Sequence, residues 1–165
     1  MTQPDFQTAF QDVMPRNHCW GCGPDVPGGL RLKTRWDPAS PDKAVCIWTP
    51  RPEFAAGPRT IVYGGTIASV IDCHGIWTAI GDVYRREERP VGEGELVWFV
   101  TGALNVSYRK PTPIDQPMTV HAWVREAHPR KSLVSISLVS AGVECATGDM
   151  VAVRVPPSWY DEQGS

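Results

Sequence analysis

A chain of 165 residues has room for one domain with a full core and too little for two. Sixteen basic side chains against eighteen acidic ones leave a formal charge of −2, which excludes the global positive field of a nucleic-acid or anionic-membrane binder. No apolar run is long enough to span a bilayer or to serve as a signal peptide, and five scattered cysteines, an odd number, fit reduced thiols, so a cytoplasmic protein is expected.

In chain order, residues 2–14 predict a short amphipathic helix. Thr2 and Asp5 have capping-box spacing, and Phe6, Phe10, Val13 and Met14 recur at helical steps. The following NHCWGCGPDVPGGL is dense in glycine and proline and predicts an irregular loop. LRLKTRW (30–36) and KAVCIWTP (43–50) predict a hairpin around DPASPD. From Gly65 to about Tyr84, the residues Ile67, Val70, Ile71, Trp77, Ile80 and Val83 repeat at three- and four-residue steps without a proline. That predicts a helix about 30 Å long, apolar around most of its circumference and therefore enclosed.

RREERPVGEGE (85–95) predicts an exposed loop in which Arg85, Arg86 and Arg89 are neutralised by Glu87 and Glu88. Four β-rich stretches follow at about 96–109, 118–126, 132–140 and 143–155, separated by the breaks KPTPIDQP, HPRK and SAG. Such short breaks predict antiparallel hairpins. Residues 160–165 are expected to fray. The sum is a single α+β domain over residues 1–165, with one long central helix against a six-stranded antiparallel sheet. Residues 1–29 supply the N-terminal helix and the Cys/Gly/Pro loop.

The long helix opens on VYGGTIASVID. Its first N–H groups lack intrahelical acceptors and lie at the positive end of the macrodipole. Gly64 and Gly65, without side-chain carbons, let another molecule approach those groups, as an oxyanion would. Asp72 lies seven residues beyond Gly65, on nearly the same helical face and about 10 Å further along. A carboxylate among Val70, Ile71, Cys73 and Ile76 is costly to bury, and desolvation raises its pKa toward that of a base useful near neutrality. A double glycine before a helix is also ordinary turn chemistry, and a helical Asp is ordinarily a surface residue.

At these residues the sequence resembles the hotdog-fold acyl-CoA thioesterases, in the phenylacetate-type (PaaI-like) branch of the 4-hydroxybenzoyl-CoA thioesterase superfamily. YGGTIASVID matches the family motif of His-Gly-Gly, six residues, then Asp, with Tyr63 in place of the His. CWGCGPDVPGGLRL (19–32) is similar to the family's loop before the first strand, and LNVSYRKPTP (104–113) to one of its sheet strands. The resemblance covers about residues 17–155.

It implies a hotdog fold and hydrolysis of an acyl-CoA thioester at the interface of a homodimer or a dimer of dimers. No metal or other cofactor is implied, coenzyme A entering only as part of the substrate. It implies Asp72 as nucleophile or general base and the Gly65 N–H as the donor that polarises the carbonyl, the two coming from opposite subunits. Thr101 falls where relatives place a Ser or Thr that positions water. The role of the family His does not transfer to Tyr63, whose phenol has one rotatable hydroxyl and stays neutral far above pH 7.

Arg109 with Lys110, and Arg130 with Lys131 in the HPRK turn, offer local positive charge suited to the phosphates of coenzyme A. Solvated turn residues are the plainer alternative. His74 is two residues from Asp72, which turns it to the other side of the helix and fits a core or interface histidine. Cys19 and Cys22 with His18 begin a metal-ligand pattern, but no second Cys-x-x-Cys or His pair completes four ligands, so a structural loop is expected. Of the seven tryptophans, Trp77, Trp48 and Trp98 are expected to pack, with one free to line an acyl pocket. The alternative from another class is a non-catalytic acyl-CoA-binding or regulatory hotdog protein. A hydratase of this fold is a weaker third, because its Asp and His arrangement is not found here.

Overall fold

Along Lys131–Ser140 every second residue is apolar or small, and Ser132, Val134, Ile136, Leu138 and Ser140 all turn to one buried face. The computed structural model, which describes residues 6–163, repeats this logic across a six-stranded sheet. The strands are β1 (Arg35–Asp37), β2 (Ser40–Trp48), β3 (Trp98–Tyr108), β4 (Met118–His128), β5 (Lys131–Ser140) and β6 (Val143–Val155). Their spatial order is β1-β2-β4-β5-β6-β3, with every neighbouring pair antiparallel. The long helix α2 (Gly64–Arg86) lies across β3, β4, β5 and β6, as predicted, and buries Val70, Ile71, Ile80 and Tyr84 against them. Short helices α1 (Phe10–Val13) and α3 (Pro157–Gln163) flank this core. No helix among the described residues is long and apolar enough to cross a membrane.

The helix sits close on the sheet because two side chains are missing. A Cβ at Gly148 of β6 would stand 2.6 Å from Ile71 Cγ2, and one at Gly75 of α2 would stand 2.9 Å from the Met150 sulfur. Each glycine receives the side chain that the facing element projects.

Three expectations change. The first strand does not start at Leu30, since the Leu30 and Leu32 N–H groups donate to Trp20 O and Gly21 O, both at 3.1 Å. Arg31 is left-handed (φ 56°), so residues 30–34 line the cysteine loop and only Arg35–Asp37 pair with β2. The N-terminal helix is one turn long; Thr2 and Asp5 lie outside the described residues. The tail through Gln163 is helical instead of frayed, with Pro157 opening α3 and Tyr160 stacked on Trp98 at a centroid distance of 4.0 Å.

Arg85 and Arg86 are not a solvated loop either. They close the last turn of α2 and hold the buried Asp82 from both sides, each with a guanidinium nitrogen 2.6 Å from a different carboxylate oxygen. The Asp82 side chain is only 2% exposed, so its charge depends on those partners. The double variant Arg85→Ala/Arg86→Ala is expected to lose roughly 2–3 kcal/mol in urea unfolding, the low end for orphaning a buried charge, because both guanidiniums are partly in water. Equal midpoints for variant and wild type would refute this account of the helix end.

Candidate active site

Asp72 leaves α2 toward β3, half-buried, and Thr101 Oγ1 donates a hydrogen bond to its Oδ1 at 2.5 Å. Thr101 stands beside a bulge, because the β3–β6 register slips between Thr101 and Ala103, and such a bulge re-aims neighbouring side chains. Burial pushes the Asp72 carboxyl above the usual carboxylate range; the Thr101 hydrogen bond opposes this, and the nearby Cys19 charge adds to it. Above the pair opens a cavity of about 380 Å³. Its walls are apolar, built from Ile76, Trp77 and Ile80 of α2, Trp98 and Phe99 of β3, and Tyr160 of α3. A pocket of this size, with a few polar groups at one end, suits a small-molecule ligand.

The start of α2 is built differently. Thr66 and Ile67 N–H both reach Tyr63 O, at 3.0 and 3.2 Å, so Gly64 and Gly65 carry the helix-start amides without an intrahelical acceptor. Gly64 O accepts from the Tyr108 hydroxyl at 2.7 Å. A Cβ on Gly65 would lie 2.4 Å from the Tyr63 ring, so the space left by the missing side chain is filled by this chain's own phenol. Tyr63, Gly64 and Gly65 do not line the cavity that holds Asp72 and Thr101. One protomer therefore brings together Asp72 and Thr101, and separately the glycine amides with Tyr63.

The basic residues divide in the same way. Arg109 and Lys110 follow β3 at the Tyr108 end, near the helix start, where both N–H groups donate to Cys145 O and Arg109 faces Glu144 at 3.5 Å. Arg130 and Lys131 occupy the β4–β5 turn. Lys131 pairs with Val153, and Val153 with Val100, which sets that turn at the Thr101 end of the sheet. His74 is fully buried on the other side of α2, its Nδ1 3.0 Å from Thr34 Oγ1, and burial lowers its pKa to about 3.

The cysteine loop arrives at the same cavity. Cys19 and Cys22 both line it, joined by Cys73 of α2, and the three sulfurs lie within 4.8 Å of one another. Cys19 is held toward its thiolate by the Cys22 and Cys73 thiols, while Cys22 is pushed up to about 11 and Cys73 is also raised.

The sequence signals for two of these features were weak. Cys73 is remote in sequence from the Cys-x-x-Cys pair, and only the loop's return to α2 joins them. Tyr160 follows Pro156 and Pro157, and proline at the first helical position was the usable sign of α3.

A thioesterase superfamily protein from Shewanella loihica PV-4 is 34% identical, aligning 86% of this chain and 96% of its own at a TM-score of 0.64. The PaaI protein of the E. coli phenylacetic acid degradation operon shares the fold at 16% identity and a TM-score of 0.60, over 77% of this chain and 81% of its own. A thioesterase from Haemophilus influenzae does so at 11% identity and a TM-score of 0.60, over 76% and 79%. No family model and no curated protein matches the sequence. The chain belongs to the thioesterase superfamily, with the hotdog fold of one long helix wrapped by an antiparallel sheet.

The cavity wall depends on the loop's seat against α2. A Cβ at Gly21 would stand 2.3 Å from Cys73 Sγ, a distance no relaxed structure tolerates. Gly21→Ala is accordingly expected to destabilise the fold by about 1–3 kcal/mol, the usual cost of overpacking, measured by chemical denaturation. An unchanged midpoint would show that the loop does not rest on Cys73.

Proposed function

We propose that the protein hydrolyses an acyl-CoA thioester to the free acid and coenzyme A, with Asp72 as general base. The carrying observation is the Asp72–Thr101 pair at the polar end of an apolar cavity, on a thioesterase-superfamily fold. Thr101 occupies one carboxylate oxygen and leaves the other free to take a proton from water. The hydroxide formed adds to the thioester carbonyl, and the tetrahedral oxyanion is stabilised by helix-start N–H groups. Collapse expels the coenzyme A sulfur, which receives the proton from Asp72. Direct attack by Asp72 through a mixed anhydride uses the same residues, and where water then attacks the aspartyl carbonyl, a single turnover in labelled water places the label in Asp72; label in Asp72 therefore identifies the covalent route.

The oxyanion donor comes from a second subunit in this proposal. Among the described residues the outer edge of β3 has no neighbouring strand, and an antiparallel pair formed about its middle, near Ala103, sets Trp98 of one copy against the partner's Tyr108. Because Tyr108 touches Gly64, the partner subunit's Gly65 N–H then approaches the Asp72 cavity. The partner's Arg109 and Lys110, with Arg130 and Lys131 of the β4–β5 turn, are the cations proposed for the phosphates of coenzyme A; Arg130 itself lines a separate cavity with Glu95 and Arg154. Five free thiols suit the reducing cytoplasm as the setting for this reaction. The Tyr63 ring over Gly65, where relatives carry His, favours a second reading in which the pocket binds acyl-CoA without cleaving it.

A panel of aryl and medium-chain acyl-CoA substrates with thiol detection is expected to reveal turnover, and Asp72→Asn to lower kcat by about two orders of magnitude or more while the fold stays intact. Calorimetric binding with no thiol release from any substrate would decide for the binder. Subunit mixing tests the shared site. Gly65→Pro removes the amide donor within the first helical turn, where the proline backbone is accepted, and its Cβ displaces the exposed Tyr63 ring. Equal amounts of Gly65→Pro and Asp72→Asn chains, reassociated, are expected to recover about a quarter of wild-type activity, since half the dimers are mixed and each mixed dimer has one intact site. Recovery of none would overturn the two-subunit arrangement.

A further inference from the structure

We propose that Cys19, Cys22 and Cys73 form a zinc site, three thiolates holding the ion and a solvent molecule taking the fourth position on the side of the Asp72 cavity. The sulfur spacing is the first support. Tetrahedral zinc with Zn–S bonds of about 2.3 Å requires sulfurs about 3.8 Å apart. Cys19 and Cys73 stand 3.7 Å apart, and all three sulfurs fall within 4.8 Å. A disulfide would need about 2.05 Å.

The second support is the rigidity of the ligand-bearing backbone. Gly23 N–H donates to Cys19 O at 2.7 Å, which closes the Cys-x-x-Cys turn, and Gly21 presses on the Cys73 sulfur with no room for a Cβ. Leu30 and Leu32 N–H tie the intervening carbonyls of Trp20 and Gly21, so the loop is fixed between its two sulfurs. Cys73 is carried by the central helix. Three ligands are thus delivered by two preorganised elements 51 residues apart in sequence at their nearest cysteines, Cys22 and Cys73.

Third, polar donors are aimed at sulfur. Trp77 Nε1–H points at Cys22 Sγ from 3.0 Å, and Asn17 Nδ2–H, already bonded to Cys22 O at 3.2 Å, stands 3.7 Å from the same sulfur. Asn17 Oδ1 accepts from Cys19 N–H at 3.2 Å, which fixes the amide's orientation. N–H groups directed at a ligand sulfur hold its negative charge and orient its lone pairs, the work of outer-shell partners in metal sites. Zinc binding here releases the thiol protons of its ligands, and one Zn²⁺ with three thiolates keeps a net charge of −1 beside Asp72. The site differs from a closed four-ligand structural zinc in that one position opens onto the cavity, and it is independent of whether the cavity hydrolyses a thioester.

The test uses the full-length protein without a metal-binding tag, purified under reducing conditions from zinc-supplemented cells. Metal analysis is expected to give one zinc per chain, and cobalt added to the metal-free protein is expected to show the strong visible bands of a tetrahedral thiolate complex with near-ultraviolet sulfur-to-metal charge transfer. Cys73→Ser and the exposed-position variant Cys19→Ser should each abolish the cobalt spectrum, while Cys145→Ala, remote from the cluster, retains it. Trp77→Phe should weaken zinc binding by about tenfold without loss of a ligand. If Cys73→Ser fails to fold, Cys19→Ser alone decides. Wild-type protein that takes up neither metal, cobalt spectra unchanged in Cys19→Ser, or a Cys19–Cys22 disulfide in mass spectra of the reduced preparation would each overturn the proposal.

Discussion

Everything in this molecule depends on how closely α2 lies on its sheet. Gly148 opposite Ile71 and Gly75 opposite Met150 let the helix settle within side-chain contact of four strands. That contact fixes not only the axial position of the helix but its rotation. Consecutive residues leave a helix at about 100° to one another, so a fixed rotation gives Asp72, Cys73 and His74 different partners, the first two on one cavity and the third in the core. Asp72 meets Thr101 and the cavity, Cys73 meets the cysteine loop, and His74 disappears against Thr34. A chemical group, a thiol cluster and a core hydrogen bond are therefore set by one packing constraint.

The regular part of the fold was legible because its periodicities are strong. The four later strands and α2 appear within about two residues of where alternation and three-to-four spacing place them. What eluded the pattern was backbone hydrogen bonding to irregular partners. Leu30 and Leu32 alternate with charged residues as a strand would, yet their amides serve the Cys/Gly loop. Arg85 and Arg86 looked solvated because Glu87 and Glu88 follow them, whereas a buried Asp82 one turn earlier claims both. The helix at Tyr160 is too short for a periodic signal.

The site was legible in proportion to how local it is. Asp72 stood out as a carboxylate in an apolar helix, and the fold supplies the cavity that makes its burial chemically useful. Thr101 came only through resemblance, although Gly102 beside it, a glycine inside a strand, was a usable sign of the bulge. The glycine pair was singled out for openness, but its own Tyr63 covers Gly65, and Asp72 lies beyond its reach within the chain. Residues seven apart on one helical face share a direction without sharing a pocket. The thiol cluster was half visible: two cysteines form a pattern, and the third is supplied by tertiary contact alone.

The wall formed by Tyr160 is attached quite unlike the rest of the cavity. Asp72 and Thr101 stand on elements locked by ladders of main-chain hydrogen bonds. Tyr160, in contrast, is held by stacking on Trp98, by its hydroxyl on Arg16 O, and by the neighbouring Arg16–Asp161 ion pair at 2.5 Å. Those contacts join the segment at Arg16 to α3 over the pocket. Substitutions at Arg16, Tyr160 or Asp161 can thus reshape that wall of the cavity while leaving Asp72 and Thr101 on a rigid scaffold, a division between an adjustable gauge and a fixed frame written into one small domain.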